Sequence, residues 1–163
     1  MTSIGHRLLA AAMLIGISSC VQPVHQHMTD PPAKTEKPPA APPKPVRMNG
    51  RGKITSISIS DFFVLQQSGK VLIYDARPAF FYHLGHIPGA ISLPKTSCDA
   101  EIAKRESEIK AAIASKTPIF VYCTNLLCPD ARTVAIHLAD FGYSSSTLTG
   151  GWESWKEAGL PTE

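Results

Sequence analysis

Net charge is scarce in this chain. Sixteen lysines and arginines stand against thirteen acids, for a formal balance of +3. Basic residues do not interleave with aromatic ones, the pattern that neutralises phosphates while stacking bases, so nucleic acid is not an expected partner. Long apolar runs are also missing. Residues 8–18, "LLAAAMLIGIS", carry no charge but are too short to span a bilayer as a mature helix. No internal repeat is visible. Residues 21–50 are nearly devoid of large apolar side chains and rich in proline. Such a stretch cannot bury enough surface to offset its ordering entropy and is expected to act as an extended spacer. His25 and His27 fall within it and read as parts of a solvated tail. There are four cysteines, and no pair of histidines lies near the two that are closest together. A zinc shell would be incomplete there, so neither a metal nor a cofactor is expected.

The ends of the uncharged run are informative. "MTSIGHR" precedes it with an arginine, a histidine and no acid, as in a signal peptide. The run closes in "ISSC", a branched apolar residue, two small residues and a cysteine, which resembles the bacterial lipobox. The resemblance implies a lipoprotein signal peptide over residues 1–19, lipidation of Cys20 and a membrane-anchored, proline-rich linker over residues 20–51. Acyl chains on Cys20 would attach the chain firmly. It would then sit on the periplasmic side of the cell envelope, with Val21 and Gln22 favouring an outer membrane. A plain secretory signal is the alternative. Outside the cytoplasm disulfides persist. Three thiols would remain beyond the anchor, Cys98, Cys123 and Cys128, so at least one stays free or pairs outside the domain.

Residues 52–163 are enough for one core. "KITSIS", "KVLIYDAR", "AISLP", "TPIFVYC" and "SSTLTGG" read as strands. Between them, "ISDFFVLQQSG", "CDAEIAKRESEIKAAIASK", "PDARTVAIHLADFG" and "WESWKEAG" carry helical spacing, caps and stops. In the second of these, Ile102, Ile109 and Ile113 recur at helical spacing, so one long helix is predicted. Alternation of strands and helices predicts an α/β fold with an open parallel sheet and helices on both faces. Ligand sites in such sheets lie beyond the carboxyl ends of strands. Cys123 ends the most apolar strand.

Several segments together carry a family resemblance. "YDAR" followed by "GHIPGAISLP" resembles the signature of the rhodanese-like domain, "VYC" its strand to the active cysteine, and "LADFGY" with "GGWESW" its closing pattern. The resemblance spans roughly residues 52–161. It implies a sulfurtransferase in which Cys123 is the nucleophile that carries a persulfide. Its implied partners are a small sulfur donor such as thiosulfate or a polysulfide and a thiol acceptor. One departure lies just past Cys123. Where the common loop has four residues and then arginine, position 128 is cysteine. Gly142 and Tyr143 fall about two residues late, so the loop is expected to be longer. Relatives with longer loops take larger anions such as phosphate or arsenate and place arginine six residues after the cysteine. Here that position is Pro129, which argues against this chemistry.

Only a thiolate attacks sulfur. Backbone N–H groups of Thr124, Asn125, Leu126, Leu127 and Cys128 can ring the sulfur, aided by the positive end of the following helix. Arg132 either supplies the missing cation or lies on the helix surface. Cys128 has three readings: a resolving thiol, a permanent disulfide partner of Cys123, or a helix-start residue without a role. Asp75 and Arg77 either orient the loop or form an ion pair that holds the "GHIPG" turn. Gly85 and Gly89 supply backbone freedom in that turn, and His86 reads as part of it, with a base as the alternative. Cys98 reads as a helix-start cysteine that caps or packs, with pairing to the 123–128 loop as the alternative, and Trp152 and Trp155 read as anchors of the last helix. Three functions remain open: sulfane-sulfur transfer through Cys123, a thiol-disulfide or sulfur relay using Cys123 and Cys128, and a non-catalytic binding module.

Overall fold

A computed structural model describes residues 50–163. The expected signal peptide, Cys20 and nearly all of the expected linker lie outside the described residues. Strands β1 (Ile54–Ile57), β2 (Leu72–Asp75), β3 (Ala90–Ser92), β4 (Ile119–Tyr122) and β5 (Ser145–Leu148) alternate with helices. The helices are α1 (Ile59–Gln67), α2 (Ala79–His83), α3 (Cys98–Lys104), α4 (Glu106–Ala114), α5 (Asp130–Asp140) and α6 (Gly151–Glu157). The strands form one sheet in the order β1-β5-β4-β2-β3, with every pair parallel. The open parallel α/β sheet expected from the sequence is what forms.

Alternation along the central strands sorts the core into two layers. Leu72, Tyr74, Ile119 and Val121 pack with Ile102, Ile109, Val134 and Leu138 of α3, α4 and α5. Ile73, Phe120 and Tyr122 point the other way, onto Phe62 of α1 and Trp155 of α6. With both faces covered, β2 and β4 are buried at every position. This explains why they read as unbroken apolar runs. Trp155 is fully buried, and its indole Nε1–H donates to the Pro161 carbonyl at 2.7 Å, anchoring the last helix as expected.

Three local expectations need correction. The predicted long helix is broken at Arg105, whose φ/ψ of −101°/12° ends α3 and caps α4. Ile102 and Ile109 are both fully buried, whereas Ile113 is 42% exposed. The bend lets the first two pack on the sheet and leaves the third on the surface. At α1 the cap is Ser58, whose hydroxyl accepts from Asp61 N–H, rather than the later serine of "ISDFF". Helix α2 has no counterpart among the elements expected from sequence. Its five residues, "AFFYH", contain no buried side chain and so show no apolar stripe.

Candidate functional site

The candidate site sits at the carboxyl edge of β2 and β4, where two turns face each other. The first follows β2. Asp75 is fully buried and Arg77 is 3% exposed. Arg77 Nε donates to both carboxylate oxygens of Asp75 at 3.0 Å, and Nη2 to Oδ2 at 2.6 Å. Nη2 also donates to the Gly85 carbonyl at 2.7 Å. From β4 the Tyr122 hydroxyl donates to Asp75 at 2.7 Å and accepts from Ile87 N–H at 3.2 Å. The Tyr122 phenol is therefore held well above its usual range, first by burial and then by the Asp75 carboxylate. Of the two readings for Asp75 and Arg77, this geometry is that of the ion pair holding the "GHIPG" turn. Gly85 and Gly89 in the turn take φ of 139° and 76°. His86 stacks on Tyr82, with ring centroids 3.9 Å apart, and its Nε2 lies 3.5 Å from the Glu163 carboxylate. It is part of the turn's packing.

The second turn follows β4. Cys123 is 2% exposed and is joined to Cys128 by a disulfide, with Cα atoms 6.1 Å apart. Helix α6 approaches this turn closely. Trp152 N–H donates to the Cys123 carbonyl and Glu153 N–H to the Thr124 carbonyl, both at 2.8 Å. The approach depends on Gly151, which has φ of 58°; a Cβ there would lie 2.3 Å from the Cys123 carbonyl oxygen. The loop is otherwise loosely tied. Asn125 Nδ2 donates to Glu153 at 3.0 Å, while Asn125 Oδ1 accepts from Leu127 N–H and its backbone carbonyl from Cys128 N–H. Leu126 and Leu127 are 73% and 90% exposed.

This arrangement corrects the expected ring of five donors. The N–H groups of Leu127 and Cys128 are used within the loop by Asn125. Thr124, Asn125 and Leu126 N–H make no hydrogen bond among the described residues. Arg132 is exposed on α5. It lines a cavity of about 380 Å³ with Cys123, Cys128, Asn125 and the hydroxyl residues Ser56, Thr147 and Thr149. It makes no ion pair among the described residues, so it is an exposed, unpaired cation lining the cavity. Cys98 is buried and free, and burial followed by the Asp99 charge pushes its thiol up. Of its expected roles, packing fits its place in the core with Ile102 and Val134, and the alternative pairing with the 123–128 loop does not form.

Two features of the site escape a reading of the sequence. Tyr122 reads there only as part of an apolar strand, although a tyrosine at a strand end signals a hydroxyl seeking a polar partner. Asp130, directly after Pro129, pairs with Lys95 across the site. The two are thirty-five residues apart, and only the fold brings them together.

Residues 60–158 match the family model of the rhodanese-like domain. The chain belongs to the rhodanese-like domain family. Among solved structures, a Bacillus halodurans protein, BH2092, aligns with TM-score 0.58 and 27% identity, covering 67% of this chain and 76% of that one. A Lactobacillus plantarum protein aligns with TM-score 0.54 and 27% identity, covering 66% and 87%. An As-Sb reductase from Leishmania major shares the fold at TM-score 0.52 and 23% identity, covering 66% and 80%. An HTH-type transcriptional regulator of Mycobacterium tuberculosis is 33% identical over 111 residues, 66% of this chain and 44% of the regulator. The chain thus spans less than half the length of that relative. In this rhodanese-like domain one cysteine stands directly after β4 and a second closes the loop, and the two are covalently joined.

Proposed function

We propose that this rhodanese-like domain transfers sulfane sulfur through a persulfide on Cys123 and that Cys128 is the thiol that clears it. The observation that carries this reading is the covalent pairing of Cys123 with Cys128 at the carboxyl end of β4. The pair must first be opened by two equivalents of a thiol, which leave as their own disulfide. The Cys123 thiolate then attacks the outer sulfur of thiosulfate. A sulfur–sulfur bond forms on Cys123, the old one breaks, and sulfite leaves with its electron pair. An acceptor thiolate that attacks the outer sulfur takes it as its own persulfide and frees the Cys123 thiolate. Without an acceptor, the Cys128 thiolate attacks Cys123 Sγ. This restores the disulfide and expels hydrosulfide.

Thiol-disulfide exchange without sulfur transfer is the second reading. It is favoured by the loop's own use of the Leu127 and Cys128 N–H groups and by the peripheral place of Arg132. Sulfite release separates the two. The reduced protein given thiosulfate and a thiol should release sulfite, and Cys123→Ser should abolish the release. With Cys128→Ser, turnover should persist and no longer be lost through formation of the internal disulfide. If no sulfite or hydrosulfide appears with thiosulfate or polysulfide while the disulfide still cycles, exchange is the function. If neither occurs, the domain is a binding module.

On the "ISSC" motif we place this chemistry on the periplasmic side of the cell envelope, tethered through acylated Cys20 and the proline-rich linker. Cys20→Ala should leave unprocessed precursor. A mature N-terminus elsewhere, without acyl mass, would remove the anchor from the proposal.

A further inference from the structure

We infer that Lys95 and Asp130 form a charge pair that sets the acidity of the Cys123–Cys128 thiols, and so the ease with which the disulfide opens. The inference rests on the proposed dithiol chemistry of the same loop. Asp130 stands two residues past Cys128, at the start of α5. One of its carboxylate oxygens and the two cysteine sulfurs all lie within 4.8 Å of one another. The Asp130 side chain is 16% exposed and pairs with the Lys95 ammonium, in the turn after β3. The pair borders a cavity of about 120 Å³ lined by Ala76, Pro78, Pro94 and Thr96. A larger cavity is lined by both cysteines together with Asn125 and Arg132.

A carboxylate this close to sulfur opposes a thiolate, because like charges disfavour ionisation. Lys95 offsets that charge. Opening the disulfide breaks the sulfur–sulfur bond and puts its electron pair on one cysteine as a thiolate, while the other becomes part of a mixed disulfide with the attacking thiol. The thiolate released in this step lies within the field of the pair. Of the other charged groups around the loop, Arg132 is exposed on α5, Glu153 on α6 is held by Asn125, and Arg77 and Lys156 line a cavity with Thr124. None of these four lines the small cavity that Lys95 and Asp130 border. Lys95 and Asp130 are positioning residues: they touch no transferred atom and act only through the charge they present to the sulfurs.

Opposite signs for the two single variants test this directly. The full-length protein is reduced, and alkylation of Cys123 and Cys128 by iodoacetamide is followed against pH, with each cysteine read separately by peptide mass spectrometry. Lys95→Met leaves the carboxylate uncompensated. The thiolate fraction at neutral pH should fall roughly tenfold, the alkylation profile should move to higher pH, and more reductant should be needed to open the disulfide. Asp130→Asn leaves the ammonium uncompensated and should shift all three in the opposite direction. The double variant should return close to wild type, and 1 M salt should shrink both single effects. If the two single variants shift the profile in the same direction, or neither shifts it, the charge-pair role is wrong. Unchanged circular dichroism in each variant separates this from misfolding. These readouts do not involve sulfur transfer. Loss of sulfite release with the opposite shifts intact would remove the proposed reaction and leave the charge pair standing.

Discussion

The two turns at the carboxyl edge of the sheet are neighbours built on opposite principles. The turn after β2 is over-determined. A buried carboxylate is satisfied by a guanidinium, a backbone N–H and a phenol, and the guanidinium is satisfied again by a carbonyl. The loop after β4 is held by one covalent bond, by two contacts from α6 and by a single asparagine, and it exposes two leucines to solvent. The first turn fixes the frame with side-chain charge. In the second, the side chains are free to differ, because the fixed points are backbone carbonyls and the cysteines themselves. The cysteine after β4 thus keeps its place at the strand end although the loop up to α5 contains no arginine.

The strongest way to break the contrast is Arg77→Met. It strands Asp75 in the core and should cost about 3–5 kcal/mol in a denaturant titration. The double variant Asp75→Asn, Arg77→Met should cost less than this, since no charge is then left unpaired. A double variant as unstable as the single would mean that packing, not charge, holds the turn.

Gly151→Ala comes next. A methyl group at that position meets backbone rather than a side chain, so α6 or the loop must move, at a cost of about 3 kcal/mol. The Cys123–Cys128 disulfide should reduce faster in this variant. Stability within about 0.5 kcal/mol of wild type, checked by chemical denaturation, would show that α6 does not clamp the loop.

Tyr122→Phe should cost about 2 kcal/mol by removing two buried hydrogen bonds. The same residue predicts a pH effect. Its folded pKa is raised, so the unfolded chain gives up its proton first. Wild-type stability is then fully present below about pH 10 and falls as pH rises beyond it. The Phe variant should lose less over that window, although Tyr74 and Tyr143, also raised, keep some of the slope.

Arg132→Ala should have the smallest effect, under about 0.5 kcal/mol on folding, since the side chain is exposed and unpaired among the described residues. If Arg132 meets the anionic donor at the cavity rim, the KM for thiosulfate rises while kcat holds. Unchanged kinetics assign it to the helix surface.

The sheet and its order of elements were legible because β2 and β4 are buried on both faces and therefore apolar at nearly every residue. Patterning failed where burial is absent or local. Helix α2 buries none of its side chains, and the break at Arg105 is a backbone event inside a segment whose residues carry an unbroken helical pattern. At the site, Cys123 could be placed because it directly follows a strand. The Lys95–Asp130 pair could not, since no local spacing relates the turn after β3 to the start of α5. The internal use of the Leu127 and Cys128 N–H groups was equally hidden, because it depends on the conformation of Asn125.

The most direct test of the central claim is the mass of the two cysteine peptides after the reduced protein meets a sulfur donor. The Cys123 peptide should gain about 32 Da per added sulfur, and the gain should persist longer in Cys128→Ser, where no neighbouring thiol can expel it. An adduct found on Cys128 instead, or on neither cysteine with thiosulfate or polysulfide, would contradict the assignment of Cys123 as the sulfur carrier.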